Sequence, residues 1–224
     1  MYKYYVKTEI PQWLSDEHLP KEVLAKRDED WSEVWTKNVE KGEIRANNLQ
    51  GTFTDGYALY RTLSQVENVN WIRFACNINK NELQSYLNEM FTINTEAKTN
   101  GNPLTIADDF IIYYSGLAKE FNGDWVGYDI ATQELQYISL RMLSQKWVDF
   151  KQRLKAYDAS VNTNADNVSS TVTSNVHDKW FLIVSDTNYS GIWATKAVDQ
   201  KLFQQHQLLI QSSVDQLGVC VFFY

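Results

Sequence analysis

Proline is scarce in this chain of 224 residues, three in all, and its nine glycines are scattered. Scarcity of both excludes collagen-like and Pro/Gly-rich disordered architectures. It also leaves no glycine cluster to cradle a phosphate, and neither the P-loop pattern nor GxGxxG occurs, so neither a P-loop NTPase nor a Rossmann enzyme is expected. Cysteine and histidine are few as well. Cys76 and Cys220 each sit inside an apolar, strand-like run and read as buried thiols of a reducing compartment. His18, His177 and His206 are far apart, and no CxxC or HxxxH is present, so no metal site and no cofactor is expected.

Long apolar runs are missing too. The longest, residues 181–184 and 219–224, are too short to cross a bilayer, and the first residues lack the apolar core of a leader. The expectation is a cytoplasmic protein with no membrane association. A basic excess is likewise absent: 21 Lys and Arg stand against 28 Asp and Glu, a net charge of −7. A general nucleic-acid binder would carry the opposite balance, because affinity for the phosphate backbone comes from displaced counterions.

What the chain does have is one regular amphipathic stretch, and the rest is organised around it. From Leu140 to Tyr157 the apolar residues fall at Leu140, Leu143, Trp147, Phe150, Leu154 and Tyr157, a strict alternation of three and four that aligns all six on one side of a helix. Ser139 can cap its first turn, and Asp158-Ala-Ser is expected to end it. The seam is too short for a sustained coiled coil, so it reads as the centre of an internal core. A structural homodimer built on it is the competing use. The opposite face carries Lys146, Lys151, Arg153 and Lys155, a solvated face whose functional reading is contact with phosphate or nucleic acid.

Around this helix the pattern predicts strands at Tyr2–Thr8, Asn70–Asn77, Phe110–Tyr114 and Trp125–Ile130, a hairpin across Ala131–Glu134, and strands at Lys179–Ser185, Ile192–Val198 and Val219–Tyr224. Helices are predicted over Pro20–Lys41 and Tyr57–Leu63, after a cap at Asn79 or Asn81 with Leu83, Leu87 and Phe91 inward, and over Leu202–Leu217. Polar loops are predicted near 94–103 and 162–175. Strands and helices mix without regular βαβ alternation, so the expected class is α+β, a largely antiparallel (mixed) sheet packed against several amphipathic helices. One domain over 1–224 is expected; if the chain divides, it does so near 94–103, into 1–98 and 104–224.

Chemistry leaves fainter marks. GxSxG is absent, and His177-Asp178 is the only local grouping suited to nucleophilic catalysis, though adjacent residues point apart. Asp108 and Asp109 precede a strong strand and Asp186 ends another, where metal-dependent nucleases and hydrolases place carboxylates; acids there also act as caps and turn formers. The aromatic excess, eight Trp and thirteen Tyr, goes mostly to the core. Trp13, Tyr189 and Trp193 are not committed to any apolar face and suit an exposed binding surface. The expected function is therefore a non-enzymatic binding protein that meets a macromolecular partner, a protein in the first instance, through an acidic or aromatic surface. Compact acidic proteins of this kind are frequent in phage and mobile-element genomes as inhibitors or adaptors of a host machine. The alternative is a metal-dependent nuclease or hydrolase using Asp108, Asp109 and Asp186.

Overall fold

The structure is a computed structural model that describes residues 52–67, 69, 71–75, 78–92, 107–129, 131–132, 134–162 and 179–213. The strands expected at Tyr2–Thr8 and Val219–Tyr224, the helix at Pro20–Lys41, the loops near 94–103 and 162–175, and Trp13, His18, Cys76, His177 and Cys220 lie outside them. The described part holds ten elements. In chain order these are α1 (Thr52–Leu63), α2 (Lys80–Met90), β1 (Asp109–Gly116), β2 (Trp125–Asp129), β3 (Glu134–Ile138), α3 (Leu140–Asn162), β4 (Trp180–Thr187), α4 (Gly191–Asp199), α5 (Leu202–His206) and β5 (Leu208–Ser212).

The class is α+β, but the sheet is not largely antiparallel. The main sheet has the order β1-β4-β5 with both pairings parallel, and antiparallel pairing is confined to the hairpin of β2 and β3. The error has a local cause. Residues 192–198, expected to form a strand returning alongside β4, form helix α4, whose Gly191, Trp193 and Ala197 are buried. A helix between two strands carries the chain back to its starting end, so the next strand must run parallel. The long helix expected over 202–217 is also cut short. Its first turn is α5, and Gln207 then turns left-handed at φ 52° so that Leu208 can begin β5.

α3 occupies the place its periodicity assigns. Ser139 Oγ accepts a hydrogen bond from the Met142 amide at 3.3 Å, and the helix continues past Asp158 to Asn162. Leu140, Leu143, Trp147, Phe150 and Leu154 are all buried, each worth about 1.5–3 kcal/mol of transfer free energy. They meet the sheet through aromatic rings: Trp147 lies 5.5 Å from Phe110 of β1 and 5.5 Å from Phe181 of β4, and Phe91, just past α2, stacks on Phe150 at 5.2 Å. With these contacts five of the six seam residues are spent inside the chain's own core, and Tyr157 is half-buried.

α2 joins the same core through Leu83, Leu87 and Phe91. Its start is fixed by a capping box, in which Asn79 Oδ1 accepts from the Glu82 amide and the Glu82 carboxylate accepts from the Asn79 amide, both at 2.8 Å. Residues 71–75, expected as strand, form no regular element. They run beside α2, where Trp71 Nε1 and Arg73 both donate to Glu89 and Arg73 covers the Tyr86 ring.

Along β4 the side chains alternate. Phe181, Ile183, Ser185 and Thr187 face the core, and Leu182, Val184 and Asp186 face the other way, half-buried. Both crossovers come down on the Phe181 side: α3 through Trp147, and α4 through Trp193, which stacks on the Trp125 ring at 4.8 Å. A single crossover hand produces this result when successive strands are added in one direction. α1 packs against β1. Among the described residues no helix is long and apolar enough to cross a membrane.

Candidate functional site at the carboxyl edge of the parallel sheet

Parallel strands all end on one side, and ligands of open α/β sheets bind in the crevice beyond those ends. Here the edge is formed by Ser115 and Gly116 of β1, Asp186 and Thr187 of β4, and the two connections that leave them.

Asp186 is the centre of this edge. Its Oδ2 accepts hydrogen bonds from the Tyr113 hydroxyl at 3.2 Å and from Ser115 Oγ at 3.4 Å. The three residues alternate onto the outer face because β1 and β4 pair in register, Tyr113 beside Val184 and Ser115 beside Asp186. Among the described residues Asp186 has no cationic partner. Burial raises the Tyr113 pKa to about 12, Ser115 opposes the shift, and the carboxylates of Asp186 and of Asp55 on α1 add to it. The Tyr113 proton is thus retained and stays directed at Asp186.

The inner side of the edge is rigid and aromatic. Tyr114 stacks on Trp125 at 4.4 Å, Trp125 stacks on Trp193, and Trp125 Nε1 donates to Ser185 Oγ at 2.8 Å. The Tyr114 hydroxyl donates to the carbonyls of Leu117 and Val126, and burial pushes its pKa upward. These bonds fix the loop that follows β1. That loop is tied in turn to the connection after β4, where the Ala118 amide donates to Asn188 Oδ1 at 3.0 Å.

The connection from β4 to α4 is a tight strand-to-helix turn with Tyr189 at φ 64°, the kind of turn on which α/β hydrolases expose a nucleophile. The side chains at hand do not form such a centre. Ser190 Oγ is buried without a hydrogen-bond partner, and nucleophilic catalysis requires a base bonded to it. Trp193 Nε1 is a second buried donor without a partner.

The residues singled out from sequence are dispersed. Asp109 pairs with Trp180 at the start of β4, whereas Asp186 pairs with Ser115; six residues of strand separate them, about 20 Å. Asp108 is engaged at that far end in an ion pair with Lys179 at 2.9 Å. Among the described residues no group of three His, Cys, Asp or Glu side chains is placed to hold a metal ion. Trp193 is fully buried, Tyr189 is half-buried, and Trp13 is outside the described residues, so these aromatics do not make one described surface. Of the basic face, Lys146 donates to Asn88, Arg153 to the Phe91 carbonyl, and the buried Lys151 to the His206 carbonyl and the Gln207 side chain; Lys155 is exposed. Burial, reinforced by Lys155, lowers the Lys151 pKa.

Tyr113 and Ser115 carry no sequence motif, and Asp55-Gly56, whose composition predicts a turn, lies inside α1 instead. Alternation within β1 does put Tyr113 and Ser115 on one face, but only the parallel pairing with β4 brings them to Asp186. No protein-family model matches the chain, and no curated protein or solved structure is significantly similar to it.

Proposed function

We propose that the chain is a binding protein that seats a cationic side chain of a macromolecular partner, arginine or lysine, against Asp186 at the carboxyl edge of its sheet. One observation carries this reading: a half-buried carboxylate is held by two hydroxyl donors on a single oxygen, and no cation of the described residues neutralises it. Two hydroxyl donors on one oxygen fix the orientation of the carboxylate. Both fall on Oδ2, and among the described residues no hydrogen bond is made to Oδ1; a guanidinium fork suits such an acceptor. Asp55, close enough to act on Tyr113, adds a second negative charge. The net charge of −7 favours encounter with a basic surface. An inhibitor or adaptor that occupies a basic site on another protein has these requirements.

The test is a titration of the isotope-labelled protein with N-acetyl-arginine amide, followed by two-dimensional NMR. Amide shifts centred on residues 113–116 and 186–189, weakened by salt and lost in Asp186→Asn, are the expected result. Equal shifts in the variant, or none in the wild type, overturn the reading.

A further inference from the structure

α3 carries Trp147, Lys151 and Lys155 at intervals of four, so these side chains follow one another along one side of the helix. The junction between α5 and β5 lies across that side. The His206 carbonyl accepts hydrogen bonds from Trp147 Nε1 at 2.6 Å and from Lys151 Nζ at 3.4 Å, and Lys151 also donates to the Gln207 side chain. Gln207 is left-handed at φ 52°, and its carbonyl receives the Phe181 amide at 3.1 Å, so the junction is fixed to the sheet as well as to the helix. His206 is thereby held beside the two lysines.

This cluster has no carboxylate. A buried charge is ordinarily paired with an opposite one. The buried Lys151 instead meets a backbone carbonyl, an amide oxygen and the Trp147 ring, 5.7 Å from its centroid. These dipoles solvate the ammonium group and do not cancel its charge. Lys155, one turn further along, is exposed, and His206 is half-buried. Among the described residues no carboxylate forms an ion pair with any of the three. Burial lowers the His206 pKa, and Lys151 and Lys155 lower it further, as like charges close together must.

We propose that Lys155 and His206, with Lys151 behind them, form a binding site for the phosphoryl group of a small molecule, at the opposite end of the sheet from Asp186. Charge complementarity identifies the occupant. Two lysines and an imidazole able to take up a proton match a group that carries close to two negative charges and three acceptor oxygens. Lys155 and His206 supply the accessible donors, and Lys151 supplies charge that nothing in the cluster neutralises. The other cations of α3 are spent elsewhere, Lys146 on Asn88 and Arg153 on the Phe91 carbonyl. The site therefore suits one phosphate and not the run of phosphates that a nucleic-acid backbone presents. It stands or falls independently of the cation seat at Asp186.

The experiment is a titration of the isotope-labelled full chain with inorganic phosphate, near neutral pH and at constant ionic strength, followed by two-dimensional NMR. Saturable amide shifts centred on residues 151–155 and 206–207 are expected, together with a rise in the titration midpoint of the His206 ring. Lys155→Gln, at an exposed position, weakens binding roughly tenfold, the loss of one charge-assisted contact. Lys146→Gln, which removes the same charge from the same helix, leaves binding unchanged. Shifts that do not saturate, equal losses in the two variants, or acetate that binds as tightly as phosphate overturn the site.

Discussion

The two ends of the parallel sheet use the same residue type in opposite ways. At the amino end Asp108 meets Lys179, whose side chain is almost fully buried and donates a second bond to the Ala107 carbonyl. The carboxylate there serves to bring a lysine into the fold. At the carboxyl end Asp186, among the described residues, meets hydroxyl groups and no cation, and they orient it. Among the described residues, then, one aspartate is balanced by a cation and the other is not, and the cation seat proposed for Asp186 rests on that contrast. The comparison shows why the strand-end acids do not act as a set, since the strand length lies between them and one is already neutralised.

The comparison can be broken most forcefully at the inner side of the carboxyl edge. Trp125→Ala removes the ring between Tyr114 and Trp193 together with the bond to Ser185, and should cost about 3–5 kcal/mol, read as a lowered urea midpoint by circular dichroism. A loss below about 1 kcal/mol would mean that the stack does not support the edge. A smaller contrast tests the two ends directly. Lys179→Met strands the Ala107 carbonyl and should destabilise by about 1–3 kcal/mol, whereas Asp186→Asn should change stability by no more than about 0.5 kcal/mol. Equal losses in the two variants would show that Asp186 is as structural as Asp108.

The smallest effect concerns protons. The Tyr113 hydroxyl, raised to about 12, should be absent from the first phenolate rise near pH 10 in an absorbance titration. In Asp186→Asn its midpoint should fall, because a carboxylate that opposes the phenolate charge has gone. The sign for stability follows: the folded pKa lies above the unfolded value, so this group's contribution is complete below pH 10 and is lost between about pH 10 and 12. An unmoved Tyr113 midpoint in the variant would separate the two side chains electrostatically.

Legibility from sequence divides along the same lines as the molecule. The α3 seam, the β2–β3 hairpin and the Asn79 cap are local patterns, fixed by periodicity, a turn and a capping box, and each is found where the residues place it. The sheet direction is not local. Ile192, Trp193, Ala194 and Val198 satisfy a strand composition as readily as a helix, and burial of Trp193 against Trp125 decides between them. Lys201 and Gln207, both left-handed without being glycine, end their helices with no residue type that announces it. Once α4 is read as a strand, the carboxyl edge disappears, and with it the reason to examine Tyr113 or Ser115.

Parallel pairing also sets the order in which the edge can come into being. Asp109 meets Trp180 across 71 residues of chain, whereas Phe181 meets Leu208 across 27. Closing the longer loop costs about 1 kcal/mol more in chain entropy, and non-local pairing slows folding further. β4, α4 and β5 can therefore assemble as a nucleus before β1 docks. Asp186 belongs to the unit closed by the shorter loop and Tyr113 and Ser115 to the strand closed by the longer one, so the carboxylate is oriented only once β1 has docked.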